Sequence, residues 1–284
     1  MILPSTYKNG FAPRDGKALF PELWRGCIAS WTPSLGPSGS RLFDFSPYKN
    51  HGLLTNMDPN TDWVLREKQY ALDFDGTNDL VNFGSPSVLS FNRTNTFSVS
   101  TWFNLSRTNG IFALIGNALV SPPARGWLLA PFRRSTLTAV SITLFLIADS
   151  QTGNYIEVTS PVNSITANRW YHVAATYDGT SLASGVEIYI DNKKQTKTVE
   201  RNTLSLSTVP TSNVVAGGRS DGQFFPGLIS DMSIYDRVLN FNEILLLSSR
   251  RGIAYSRYPN TWTSEQISAY RARYYSQVLG AGII

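Results

Sequence analysis

Between residues 26 and 235 the chain is a succession of short apolar–polar alternations, each closed by a turn rich in Asp, Asn or Gly. That pattern admits few folds. A side-chain period of two places successive residues on opposite faces of a strand, so each segment has one face to bury. Residues 97–105 show it most clearly: Phe97, Val99 and Thr101 fall on one face, Ser98, Ser100 and Trp102 on the other. Similar segments read as strands at 26–31, 53–56, 70–74, 80–83, 111–116, 126–130, 155–159, 170–177, 186–190, 195–199, 213–216 and 228–235. Residues 137–148 are almost continuously apolar and rich in β-branched side chains, which predicts a strand buried on both faces. Asp75-Gly76 is expected to turn a hairpin, and Asp191-Asn192 supplies residues that tolerate the left-handed backbone of a tight turn.

Two helices are expected after the strands. Asn240 followed three residues later by Glu243 makes a capping box, and Arg250-Arg251-Gly252 closes that helix. Thr263 with Gln266 makes a second box, and Ile267, Tyr270, Tyr274 and Val278 then recur at helical spacing. Residues 1–25, with Pro4, Pro13 and Pro21, show no sustained period and read as an extended arm. The organisation expected is an arm over 1–25, a core domain over 26–251, and a basic arm with an amphipathic helix over 252–284.

Composition narrows the function classes. Hydrophobic residues at 42% and charged residues at 16% describe an ordered globular chain, and 12% aromatics suit a sandwich rich in β-formers. Cys27 stands alone, so no intrachain disulfide holds the fold. No apolar run approaches the ~20 residues of a membrane-spanning helix, and the first residues lack a secretory leader pattern. Net charge is +5, and from residue 250 onward Arg250, Arg251, Arg257, Arg271 and Arg273 face only Glu265, leaving four of those five charges in the tail. Such a tail points either to an acidic partner surface, with nucleic acid not expected, or to a solvated helix face.

The run of landmarks resembles a known family. Residues 44–52 (DFSPYKNHG), 71–81 (ALDFDGTNDLV), 170–174 (WYHVA) and 227–235 (GLISDMSIY), in that order, are similar to the laminin-G-like jelly rolls of the concanavalin A-like lectin and glucanase superfamily, over residues 27–251. The resemblance implies an all-β, two-sheet antiparallel jelly-roll sandwich. Residues 13–27 and 250–255 further resemble laminin-G-like proteins of marine, phage-type gene sets. That implies a virion location, as a capsid decoration or tail-associated protein, which also agrees with the missing leader. Residues in the tail (Arg250, Arg251, Arg257, Tyr270, Arg271, Arg273 and Tyr274) would then make anchoring contacts with other virion proteins or between copies in a homo-oligomer.

Chemistry is sparse. The glucanase branch of that superfamily carries Glu-x-Asp-x-x-Glu on one strand, whereas the seven Glu here lie far apart, so no hydrolase activity is expected. His51 and His172 offer no zinc cluster, and His172 reads as a buried structural residue. Asp178, Asp191 and Asp221 are better explained as turn residues than as catalytic carboxylates. By resemblance, one structural calcium would sit on Asp44, Asn50 and Asp231, and residues 75–79 form a second oxygen-rich turn. Sugar binding calls for an exposed aromatic, and Trp63 and Trp127, each directly after a turn-type residue (Asp62, Gly126), are the candidates. The expected function is a non-enzymatic virion protein displaying a lectin-like domain for host-surface polysaccharide. The alternatives are a free lectin module and a hydrolase with an unfamiliar site.

Overall fold

The structure is a computed structural model, which describes residues 7–8, 11–13, 18–118, 124–132, 140–210, 212–219 and 222–281. Among these, two antiparallel sheets face one another and a helical layer covers part of the second. Sheet one has nine strands in the order Thr198–Asn202, Asn154–Thr159, Ser141–Asp149, Gly126–Phe132, Ile115–Gly116, Val215–Ala216, Leu80–Asn82, Gly52–Thr55 and Arg41–Leu42. Sheet two runs Lys193–Lys194, Val186–Ile190, Trp170–Tyr177, Phe97–Leu105, Pro226–Tyr235, Gln69–Asp75 and Trp63–Arg66, with Cys27–Trp31 as an eighth strand. Order in both sheets departs from chain order, as in the jelly roll that the sequence resembles.

Alternation decides what lies between the sheets. Phe97, Val99, Phe103 and Leu105 point inward with Tyr171, Val173, Ala175 and Tyr177 of the neighbouring strand, and all are buried. From sheet one, Ile142, Leu144, Leu146 and Ala148 meet them. The opposite face of that same strand carries Phe145 and Ile147 into a smaller cluster with Leu128 and Ala130, so the strand is covered on both sides as its apolar run predicts. Pro122-Pro123 and the first residues of the run lie outside the described residues.

Asp191 and Asn192 both adopt left-handed backbone between Ile190 and Lys193, as their side chains allow. Gln195 N–H extends that hairpin to the Ile188 carbonyl at 2.9 Å, and the chain then leaves it: the strand at Thr198–Asn202 pairs in sheet one. Asp75-Gly76 also differs from expectation. The strands on either side belong to different sheets, so the turn is a corner rather than a hairpin. Asp75 Oδ1 accepts the Thr77 and Asn78 N–H groups at 2.7 and 3.2 Å, and Gly76 sits at φ +74° against Pro226, where a Cβ would come within 2.8 Å.

Strand Pro226–Tyr235 changes neighbours midway. Its first half pairs with Gln69–Asp75 and its second with Cys27–Trp31, with a bulge between Ser230 and Ser233 and Asp231 at φ +44°.

The helical layer consists of α1 (Phe241–Ser249), α2 (Ser264–Ala281), and the short turns Pro21–Trp24 and Ile253–Tyr255. Both capping boxes form: Glu243 N–H reaches Asn240 Oδ1 at 3.0 Å, and Gln266 N–H reaches Thr263 Oγ1 at 3.2 Å. Phe20, Leu23, Trp24, Ile244, Leu246 and Tyr255 form a second core against Cys27, Ala174 and Tyr235 on the outer face of sheet two. Trp24 Nε1 donates to the Ala254 carbonyl at 3.0 Å, and the Arg237 guanidinium holds the buried Glu243 carboxylate through two 2.7 Å bonds. Residues 18–25 and 253–255 are thus built into one layer on the sandwich. Among the described residues no helix is long and apolar enough to cross a membrane.

Candidate functional site

The helical layer stops short of one end of sheet two. There the outward-facing residues of four strands lie in register: Asp73 opposite Leu228, Leu228 opposite Asn104, and Asn104 opposite Trp170. One row further in, Ser230, Trp102 and His172 align across three strands, and Trp102 Nε1 is already tied to the Leu247 carbonyl of α1 at 3.0 Å. The uncovered row floors a groove of about 620 Å³, with Arg66 and Glu67 on one side and Asn168 and Arg169 on the other.

Two floor groups have unused hydrogen-bonding capacity. Among the described residues neither the Asp73 carboxylate nor the Asn104 amide has a hydrogen-bond partner, although both are half-buried. Burial pushes the Asp73 carboxyl up from its ordinary range, and Arg66 partly offsets this while Asp62 adds to it. Half-buried polar groups left this way invite a ligand or water to complete them. The walls are more engaged. Arg169 bonds Asp191 at 2.9 Å, Arg251 lies 4.2 Å over the Trp170 ring, and the same guanidinium bonds the Arg66 carbonyl at 2.6 Å and approaches Glu67 at 3.7 Å.

The residues singled out from sequence fall elsewhere. Trp63 and Trp127 are in strands, at 7% and 1% exposure, and their Nε1–H groups bond the Gly39 and Leu89 carbonyls at 2.9 Å each. With both rings in the core, neither presents a face to a sugar.

The three residues named for calcium do not share a cage. Asp44 accepts four bonds: from Ser30 N–H at 2.9 Å, Ser46 N–H at 2.8 Å, Ser46 O–H at 2.8 Å and Asn50 N–H at 2.8 Å. Asp231 accepts from Ser34 O–H at 2.7 Å and from Gly252 N–H, and the Asn50 Nδ2 group is buried without a partner. Donors already face both carboxylates, so this set does not fit a cation. Of the turn carboxylates, Asp178 caps Thr180 and Asp191 holds the His172 N–H, while Asp221 lies outside the described residues. His172 is fully buried, its Nε2 is 2.8 Å from the Ser100 hydroxyl, and desolvation pushes its pKa down to about 3.

The tail residues divide. Arg271 grips Glu22 at 2.8 and 2.9 Å, Tyr274 O–H meets the Ser249 hydroxyl at 2.9 Å, and Arg251 reaches back to the groove wall. These three work within the chain. Arg250, Arg257 and Tyr270 line a separate groove, and Arg273 is exposed on α2. The groove floor itself went unseen in the sequence, because Asp73, Asn104, Trp170 and Leu228 meet only through strand register.

Fold and groove together define a two-sheet β-sandwich with an open polar patch on one sheet. The chain belongs to the concanavalin A-like lectin/glucanases superfamily, whose laminin-G-type family model matches residues 75–245. Among curated proteins no sequence matches it. Solved structures share the fold. The binding domain of a Paraclostridial mosquitocidal protein is 16% identical with a TM-score of 0.56, over 80% of this chain and 52% of that one. Trypanosoma rangeli sialidase in complex with sialic acid is 18% identical with a TM-score of 0.54, over 81% and 34%. Domain 4 of an extracellular arabinanase from Geobacillus stearothermophilus, in complex with arabinotriose, is 14% identical with a TM-score of 0.52, over 78% and 98%. The chain thus spans about half of the mosquitocidal binding domain and a third of the sialidase.

Proposed function

We propose that this chain is a carbohydrate-binding module, and that its site is the groove floored by Asp73, Leu228, Asn104 and Trp170. One observation carries the reading: a carboxylate and an amide, both half-buried and without hydrogen-bond partners among the described residues, stand in one register row beside an aromatic edge. Sugar hydroxyls donate and accept at once, so they complete Asp73 as acceptor and Asn104 as both donor and acceptor. Leu228 and the free part of the Trp170 ring offer apolar surface to the C–H face of a pyranose or furanose. An arabinanase domain of the same fold, known with arabinotriose, agrees with a neutral saccharide as ligand class.

Binding without hydrolysis is the form we propose. Glycoside cleavage takes two carboxyl groups flanking one bond. The groove has Asp73, while the other carboxylate along it, Glu67, has a side chain 73% exposed and paired with Arg251. Display on a virus particle is the wider setting we propose, supported by the resemblance of residues 13–27 and 250–255 to phage-type sequences.

A glycan array followed by titration calorimetry tests the site. Asp73→Asn and Asn104→Ala are each expected to weaken binding about tenfold, the equivalent of ~1.4 kcal/mol, with little change in Tm. Wild-type affinity in both variants, or no saccharide bound by the parent, refutes the reading. Release of reducing sugar during the titration refutes its non-enzymatic form.

A further inference from the structure

Arg251 is a buried cation beside the candidate groove, at 4% exposure, and it lies beyond the residues that the family model matches. Its guanidinium is fastened by hydrogen bonds at one end only. Nη2 donates to the Arg66 carbonyl at 2.6 Å and lies 3.7 Å from Glu67, whereas Nη1 is buried without a hydrogen-bond partner among the described residues. What meets the rest of the charge is the Trp170 ring, whose centroid is 4.2 Å from Cζ. The backbone of Arg251 is held as well, because Gln69 Nε2 donates to its carbonyl at 2.8 Å. Trp170 is seated differently from five other tryptophans of the chain. Trp24, Trp31, Trp63, Trp102 and Trp127 each donate Nε1–H to a backbone carbonyl, at 2.7–3.0 Å. The Trp170 Nε1–H has no such bond among the described residues, and this half-buried residue lines the groove.

We propose that Arg251 is a positioning residue for this groove: it clamps one face of the Trp170 indole, so that a ligand meets the rest of the ring and its unbonded N–H. The clamp stands on the contacts above; that the ligand is a saccharide rests on the reading already proposed. Each contact has a share in the role. Arg66 belongs to a wall of the groove and Trp170 to its floor, so one guanidinium fixes the distance between them. A cation against the ring draws electron density from the indole and makes its N–H a stronger donor toward a sugar hydroxyl. Lysine does not replace it, since an ammonium has no plane to lay on the ring while it reaches the Arg66 carbonyl.

Fluorine NMR on the full chain carrying fluorinated tryptophan tests the clamp without any ligand, the Trp170 signal being identified by its loss in Trp170→Phe. Arg251→Met is expected to move that signal toward the position of the free amino acid while the signals of the buried Trp63 and Trp127 stay. Arg251→Lys, which keeps the charge, is expected to move it in the same direction and serves if the Met variant does not fold. Calorimetry with xylotriose, cellotriose and maltotriose then reads the ligand side. Arg251→Met and Trp170→Ala should each weaken binding about tenfold, and the double variant should bind no more weakly than Trp170→Ala, since the arginine acts through the ring. An arginine that only stabilised the fold would lower Tm and leave the affinity of the folded protein in place. A Trp170 signal unmoved in both Arg251 variants overturns the proposal, as does parent affinity in Arg251→Met or an additive loss of about a hundredfold in the double variant. If the signal moves as expected but the parent binds none of the three sugars, the clamp stands and the saccharide reading falls.

Discussion

Desolvation holds the His172 ring neutral, with its pKa near 3, while in the unfolded chain it titrates at its ordinary value near 6.5. Between those values the unfolded state binds a proton that the native state refuses. Stability therefore falls as pH drops through that window, by up to ~1.4 kcal/mol per pH unit from this one group. Asp191, bonded to the His172 N–H and itself pushed up by burial, works in the opposite sense at the acid end of that range. The informative quantity is thus the difference between parent and variant. His172→Asn should flatten the decline of Tm between pH 7 and pH 4; parallel curves would show that the ring is not the titrating group. Asp44 makes a second residue-scale case. Its carboxylate ties Ser30, Ser46 and Asn50 into one loop, so Asp44→Ala strands buried N–H donors and should cost about 3 kcal/mol. Millimolar calcium should leave the melting curve of the parent in place; a rise of several degrees would restore an ion to this loop.

At the scale of elements, the helical layer has parts of unequal weight. Helix α2 is held by Glu22, which takes Arg271 and the Tyr275 hydroxyl, and by partial burial of Ile267, Tyr274 and Tyr275. An ion pair so near the surface adds little, and three half-buried side chains contribute roughly 2–4 kcal/mol. Residues 253–255 are different: Ile253, Ala254 and Tyr255 are buried, and Ala254 supplies the carbonyl that satisfies Trp24. A chain ending at residue 262 should keep a cooperative melt at somewhat lower temperature. One ending at residue 251 should lose more than ~5 kcal/mol, comparable to the whole stability of many domains. Equal Tm for the two truncations would contradict this division. Much of this layer was legible in advance, since the Asn240–Glu243 and Thr263–Gln266 boxes are local signals. What hid was the partner: nothing local to Pro21–Trp24 says that it will lie beneath residues 253–255, some 230 positions away, and its proline-marked irregularity reads as a loose arm.

Across the whole molecule, the same contrast holds. Strand identity follows from alternation within each segment, so the sandwich and its inward faces at 97–105 and 170–177 were readable. Pairing does not. The corner at Asp75-Gly76 has the residues of a hairpin turn, and only the separation of its flanking strands into two sheets shows otherwise. Trp63 and Trp127 looked like loop residues because Asp62 and Gly126 precede them, yet each ring fills the core. The candidate groove exists because strands beginning at 69, 97, 170 and 226 happen to place Asp73, Asn104, Trp170 and Leu228 side by side, a relation that no local pattern encodes.

Strand Pro226–Tyr235, by switching from Gln69–Asp75 to Cys27–Trp31 at its bulge, also sets the order of biogenesis. During translation the segment around Cys27 emerges some 200 residues before the strand that will pair with it. Sheet two thus cannot complete its pairing until the chain has been made as far as residue 235. Contacts of such long sequence separation fold slowly and leave strand edges exposed meanwhile. Completion of sheet two is therefore expected to come late, and expression yield should depend on what shields that waiting edge.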